Sequence, residues 1–236
     1  GHSFEVIAVD DGSSDRTFEQ IQRAAESFPN VKAVRQEKNG GKGSALRRGF
    51  EESEGRYICF LDGDLDIHPR IILLYLDYIL REQADVVVGS KRHDLSVVDY
   101  PVHRRILSSG YALFIKALFN LPLTDTQVGA KMFKREVLED VLPRVLGKKY
   151  AFDIEILANV HRKGYKIIEA PVDIQLNLES SDVNINAFTR MFIDTCAIFY
   201  RVKILHYYDS SSEEIERKYQ NFMMWTRIPY ALIRRL

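Results

Sequence analysis

Short apolar runs at 4–9, 31–34, 57–61 and 85–88 alternate with stretches at 18–25, 45–52 and 70–81 whose apolar residues recur every three or four positions. Runs of that length bounded by Gly, Asp or Asn read as strands, and the longer recurrence reads as amphipathic helix. Strands separated by helices join as right-handed crossovers, so residues 4–90 predict a parallel, doubly wound α/β unit. In open sheets of this kind ligands gather at the carboxyl ends of the strands. The residues found there are therefore the first candidates for function.

The second half is less regular. Periodicity predicts helices over 102–119, 152–163 and 187–204 and strands over 130–133 and 166–169, after which Ser210-Ser211-Ser212 separates a last segment, 213–236. The 236 residues suffice for one large core with a short appendage. The expected division is one domain over 1–205 and an amphipathic tail over 206–236. Lys and Arg balance Asp and Glu at 33 each, so no global charge points to nucleic acid. Cys59 and Cys196 each lie in an apolar run and read as small buried residues of a reducing, cytosolic setting. No stretch reaches the roughly 18 to 20 apolar residues of a membrane span, and no secretory signal opens the chain. Gly1-His2-Ser3 looks like a cloning scar, and native residues are expected upstream of Phe4.

At 56–66 the strand pattern ends in Asp62, Asp64 and Asp66. In an extended segment alternate positions share one face, so the three carboxylates are expected to converge on one cation. Hard oxygen ligands suit Mg²⁺ or Mn²⁺, which keep waters and bridge to substrate phosphates. A calcium-binding EF-hand loop would need Gly at its sixth position and Glu at its twelfth, where this chain has Ile67 and Leu73. A solvated acidic turn is the remaining alternative. Pro69, at the first turn of the next helix, keeps the aspartates between strand end and helix start.

Asp10 and Asp11 end the first strand on the same sheet edge and suit recognition of a base or ribose, or else turn and cap duty. The loop Asn39-Gly40-Gly41-Lys42-Gly43-Ser44 offers backbone N–H groups and one cation to a diphosphate, although it matches neither the P-loop nor G-x-G-x-x-G. Thr17-x-x-Gln20 resembles a capping box for the first helix.

Six stretches in order carry a family resemblance: V-x-x-V-D-D-G-S-x-D-x-T from Val6, K-N-x-G-K-G-x-A-x-x-x-G over 38–49, D-G-D-L-D-x-H-P over 62–69, V-V-G-S-K-R over 87–92, D-T-Q-V-G-A-K-M-F over 125–133 and A-F-D-I-E-I-L over 151–157. Over about 4–205 the chain resembles the family-two glycosyltransferases of GT-A fold, within them the polyprenyl- and dolichyl-phosphate glycosyltransferases, and among these the dolichyl-phosphate glucosyltransferase branch. The resemblance implies a Rossmann-like, mixed, mostly parallel sheet flanked by helices, with C-terminal amphipathic helices. It implies Asp10, Asp11, Lys42 and Asp62 at the nucleotide and Asp62, Asp64 and Asp66 at a Mg²⁺ or Mn²⁺ ion. It implies Lys91, Arg92, Arg104, Ser108 and Glu155 at the acceptor, with Asp125, Lys91 and Arg104 as catalytic residues. In two places the chain departs from the family. The first strand and the P-x-Y/F-N-E segment do not occur in it, and Ser180-Ser181-Asp182 stands near the usual Ser-Lys.

The activity so implied is inverting transfer of a hexose, glucose or mannose, from UDP-glucose or GDP-mannose to polyprenyl or dolichyl phosphate. An ionised phosphate acceptor needs little general-base help, so demand shifts to positioning by Lys91, Arg92, Arg104 and Arg105. Two alternatives stay open: a same-fold transferase acting on a polysaccharide or soluble hydroxyl, and a degenerate nucleotide-sugar-binding domain. Phe188, Met191, Phe192, Thr195, Phe199 and Val202 recur at helical spacing, and the tail mixes Phe222, Trp225 and Tyr230 with Arg227, Arg234 and Arg235. Such a pattern suits peripheral association with the cytoplasmic face of a membrane, or, for the first segment above all, a helix packed on the domain or on another subunit.

Overall fold

The computed structural model describes residues 3–98, 102–147, 149, 151–174, 185–210, 214 and 217, with the backbone alone for 102–106 and 185–188. The first half alternates as the pattern predicts: β1 (Val6–Asp10), α1 (Thr17–Ser27), β2 (Val31–Arg35), α2 (Lys42–Glu51), β3 (Tyr57–Leu61), α3 (Ile71–Glu82) and β4 (Val86–Ser90). The second half adds β5 (Val97–Val98), α4 (Val102–Phe119), β6 (Ala130–Lys134), α5 (Arg135–Val141), α6 (Phe152–Arg162), β7 (Ile167–Pro171), β8 (Asp173–Ile174) and α7 (Ile185–Phe199). A 3-10 turn covers Leu142–Arg144 and a π-helical turn covers Tyr200–Ile204.

β1 and β2 pair in parallel, as do the short β5 and β8. The main sheet runs β3-β6-β4-β7, with β6 antiparallel to both neighbours and β4 parallel to β7. β3 and β4 thus point the same way, as successive crossover strands do, but β6 is threaded between them in reverse. A central strand must be covered on both faces, and Ala130, Lys131, Met132 and Phe133 are all buried. The mixed α/β architecture stands, with the strict parallel neighbourhood of β3 and β4 replaced by this insertion.

A period of two sorts the strand residues between two cores. Ile58, Phe60, Val86, Val88 and Phe133 face a large core completed by α4, α5, α6 and α7, where Leu138, Phe152, Leu157 and Ile198 are buried. Cys59, Val87, Ala130 and Met132 face the smaller core under α3, closed by Tyr75 and Ile79.

Three local expectations change, and one open alternative is resolved. The Thr17–Gln20 capping box does not form, because α1 starts at Thr17 itself and the Thr17 N–H is taken by Asp15 Oδ1 at 2.9 Å. α2 starts at Lys42 rather than 45, so the glycine loop is the helix N-terminus, with Gly41 at φ 88 as its cap. Cys59 is partly buried, but Cys196 is exposed on α7. On α7 the side chains of Thr195 and Ile198 are buried, with Val202 of the following turn, and Phe199 meets Phe119 edge-on, so this face packs on the domain. The Phe188 side chain and the aromatic and arginine residues at 222–235 lie outside the described residues.

Candidate active site

Four charged side chains from four elements meet where β3 ends. The register pairs Leu61 with Ala130, which sets Gly129 beside Asp62, and the Asp62 N–H donates to Gly129 O at 3.1 Å. A Cβ at Gly129 would stand 2.4 Å from Asp62 Oδ2, so only glycine admits the carboxylate there. Lys42, first residue of α2, holds its Nζ 2.7 Å from Asp62 Oδ1 and 3.6 Å from Asp153 Oδ2. Asp153, in the first turn of α6, turns its other oxygen to Lys131 Nζ at 3.0 Å, and that ammonium also donates to Val128 O at 2.6 Å.

The chain Lys131, Asp153, Lys42, Asp62 alternates in sign, which is what permits burial: an unpaired ion there would bear most of its desolvation penalty. Burial pulls the Lys131 ammonium below its ordinary range, against the opposing pull of Asp153. Burial acts the same way on Lys42, but Asp153 and Asp62 together outweigh it and hold that ammonium above its ordinary value.

The glycine loop is held in place from β1. Asp11 Oδ1 accepts from Gln36 Nε2 and Gly40 N–H, and Oδ2 from Gly41 N–H, each at 2.8 Å. Gly43 lies against the Phe152 ring, where a Cβ would stand 2.6 Å from ring carbons. Asp10 is buried, accepts from Ser13 N–H at 3.2 Å and pairs with Arg35, whose Nε is 3.4 Å from Oδ2. In this arrangement Asp11 organises the loop that presents Lys42.

A second cluster forms where β4 ends. Lys91 approaches the buried Asp125 through Nζ at 3.3 Å and through its N–H at 3.4 Å, both to Oδ2, while Oδ1 accepts from Gln127 N–H at 3.0 Å. Arg92 donates to Thr124 O and, through Nη2, to the hydroxyls of Ser108 and Ser109 at 3.2 Å each. Ser90 Oγ and Thr124 Oγ1 share a hydrogen bond of 2.8 Å. Lys91, Arg92, Ser108 and Asp125 are thus brought together as the sequence suggests. The side chains of Arg104 and Arg105 lie outside the described residues.

Two expectations are corrected. Asp62, Asp64 and Asp66 do not converge, and no cluster of three or more His, Cys, Asp or Glu side chains suited to a metal ion occurs among the described residues. The strand ends at Leu61, the backbone turns with Leu65 at φ 62, and Asp64 Oδ1 instead caps the Asp66 N–H at 3.2 Å, so the extended geometry behind that expectation does not extend to 66. Glu155 is fully buried and committed, accepting from Leu146 N–H at 3.1 Å, Gly147 N–H at 2.7 Å and the Tyr208 hydroxyl, with Arg201 Nη2 at 3.4 Å. It ties α6 to the chain after α7 and presents nothing to an acceptor.

The donor set still fits a Mg²⁺ or Mn²⁺ ion. Such ions are held by one or two carboxylates together with substrate phosphates and water, and Asp62 already has a cationic group against both of its oxygens.

A sequence model described as "Glycosyl transferase family 2" matches residues 1–142. The chain belongs to that family. It is 32% identical over 180 residues to the dolichyl-phosphate beta-glucosyltransferase of Dictyostelium discoideum, covering 72% of this chain and 55% of that protein. It is 29% identical over 210 residues to a dolichyl-phosphate beta-glucosyltransferase of Trichomonas vaginalis, covering 86% and 64%. The glycosyltransferase AglD of Haloferax volcanii is 30% identical over 171 residues, which are 72% of this chain and 27% of that one. The chain thus spans between about a quarter and two thirds of the length of these relatives. Its fold is that of the glucosyl-3-phosphoglycerate synthase of Mycobacterium tuberculosis, solved with Mn²⁺, UDP and glucosyl-3-phosphoglycerate. The TM-score is 0.63 at 19% identity, over 83% of this chain and 67% of that one.

For a family-two chain, the residues that sequence reasoning missed are Lys131, Asp153, Thr124 and Glu169. A lysine inside the apolar strand 130–133 was a signal in plain view, because a buried lysine needs an anion. Glu169 on β7 accepts from the N–H and the hydroxyl of Thr124 at 2.7 and 2.9 Å, and only the pairing of β7 beside β4 reveals it.

Proposed function

We propose that this chain carries the catalytic site of an inverting glycosyltransferase that moves a hexose, glucose before mannose, from a nucleotide sugar to polyprenyl or dolichyl phosphate. The observation that carries the reading is the pairing of two charged clusters on one edge of the sheet. One joins Lys42 and the glycine loop to Asp62; the other joins Lys91, Arg92 and Ser108 to Asp125. The names of the two dolichyl-phosphate beta-glucosyltransferases support the choice of sugar and acceptor.

In this reading Lys42, the first residue of α2, receives the donor diphosphate, favoured by the helix dipole. Asp62 and Asp64 would hold the divalent ion, which when bound offsets charge growing on the leaving diphosphate. A phosphomonoester has its second pKa at about 6, so the acceptor arrives largely ionised. Its oxygen attacks the anomeric carbon as the bond from that carbon to the diphosphate breaks and carries its electron pair away. No proton must move. Lys91 and Arg92 orient the acceptor phosphate, and Asp125 fixes the direction of Lys91.

A panel of UDP-glucose and GDP-mannose against a polyprenyl phosphate and a soluble hydroxyl acceptor, with Mn²⁺ or Mg²⁺, tests the proposal. Glucosylation of the lipid phosphate, lost in Asp62→Asn, is the expected result; transfer only to the hydroxyl acceptor, or no turnover, overturns it.

Peripheral membrane binding belongs to the same proposal. No helix among the described residues is long and apolar enough to cross a membrane. α4 and α7 expose Leu113, Phe192 and Ile193, which suits contact with a lipid surface at the cytoplasmic face. Co-sedimentation with anionic liposomes is expected, and a wholly unbound protein would remove this part.

A further inference from the structure

We infer that Asp153, braced by Lys131, is a positioning residue that gives the Lys42 ammonium a second anchor, so that Lys42 can leave Asp62 when a divalent cation takes that carboxylate. The inference rests on the cation role proposed for Asp62.

Lys42 Nζ lies 2.7 Å from Asp62 Oδ1 and 2.9 Å from Oδ2, so both oxygens that a cation would use are already engaged by an ammonium. Lysine and cation are competitors for one carboxylate. If Asp62 were the only anion within reach, releasing Lys42 would strand a largely buried charge, and that penalty would be charged against cation binding. Asp153 removes the conflict. Its Oδ2 is already 3.6 Å from Lys42 Nζ, within the reach of a small swing of a flexible four-carbon stem.

The other half of the device fixes Asp153. Lys131 is fully buried and holds Asp153 Oδ1 at 3.0 Å while donating to Val128 O at 2.6 Å, one residue before the Gly129 that seats Asp62. One oxygen of Asp153 is thereby pinned and the other aimed at Lys42. A lysine so enclosed cannot itself touch a diphosphate; its effect passes through Asp153. Asp62 and Asp153 are thus both held by one short stretch of chain, 128–131.

Binding of Mn²⁺ alone, followed by the loss of the free-ion paramagnetic resonance signal, separates this role from a merely structural ion pair. Asp153→Asn leaves Lys42 with Asp62 as its one carboxylate partner among the described residues, and Mn²⁺ affinity is expected to fall about tenfold, the scale of one ion pair at this range in a partly solvated site. Adding Lys42→Met to Asp153→Asn removes the competitor and restores affinity to the level of the unaltered protein or above. Asp153→Asn also strands Lys131, so the doubly neutral Lys131→Met/Asp153→Asn serves as a second variant; it is expected to melt near the parent protein and show the same tenfold loss.

Mn²⁺ binding that is lost in Asp62→Asn yet unchanged in both Asp153 variants, or a loss that Lys42→Met fails to restore, overturns the relay and leaves the cation site standing. No Mn²⁺ binding by the unaltered protein overturns both.

Discussion

The backbone N–H of Asp125 donates to the carboxylate of Glu169 at 3.1 Å, so the residue that pairs with Lys91 is suspended from β7. Thr124 hangs from the same carboxylate by its N–H and its hydroxyl. Glu169→Ala leaves those donors without their acceptor and frees the turn that aims Asp125. A displacement of about 1 Å in positioning groups can cost on the order of 100-fold in rate. Steady-state kinetics of Glu169→Ala should therefore show a fall in kcat with the donor KM unmoved, because Lys42 and Asp62 share no group with this turn.

Asp125→Asn distinguishes an organiser from a base. Asparagine still accepts from the Gln127 N–H but loses the charge that draws Lys91. An obligatory base is worth about 10² to 10⁴ in rate. With an ionised lipid phosphate as acceptor, the variant is expected to lose less than about 100-fold. A loss near the upper limit, with a pH profile missing its acid limb, would return Asp125 to the role of base.

Gly129→Ala probes the seat of Asp62. The new Cβ would stand 2.4 Å from Oδ2, 2.7 Å from Cγ and 3.0 Å from Cβ of Asp62, so the clash reaches the root of that side chain. Overpacking of this kind costs about 1–3 kcal/mol. The expected variant is folded, melts a few degrees lower by calorimetry, and has lost Mn²⁺-dependent UDP-glucose binding.

Much of this site was legible in the sequence because its parts sit at strand ends, where period and turn residues agree. Lys42 and Asp62 were found that way, and Lys91 and Asp125 through the resemblance to the family's motifs. What was not legible depended on rotation and pairing. Asp153 and Glu155 stand two apart on α6, which is about 200° around the helix, so one meets Lys42 while the other meets Tyr208. The motif names both residues, and only the packing of α6 says which faces the site. Lys131 and Glu169 depend on β6 running antiparallel between β3 and β4 and on β7 pairing with the far side of β4, an order that crossover rules do not foretell. The convergence expected of Asp62, Asp64 and Asp66 failed for a local reason, the turn at Leu65.

Asp85 offers a check of the sheet itself, away from the chemistry. Its Oδ1 accepts from Lys134 Nζ at 2.7 Å and its Oδ2 from the Lys166 N–H at 2.9 Å, clasping the start of β4 between the end of β6 and the start of β7. Partial burial raises its pKa, but these bonds and the two lysine charges outweigh that and hold the carboxyl below its ordinary range. A carboxyl whose folded pKa is depressed contributes stability above its unfolded pKa, about 3.9, and loses it as pH falls through the folded value. Asp85→Asn is therefore expected to cost about 0.5–1 kcal/mol at pH 7, a modest figure because solvent still screens the pair. The gap should stay constant down to about pH 4 and close below it as the parent carboxyl takes up its proton. Paired denaturant melts across that range check it: a difference that persists unchanged in acid would assign the loss to side-chain packing and not to the charge.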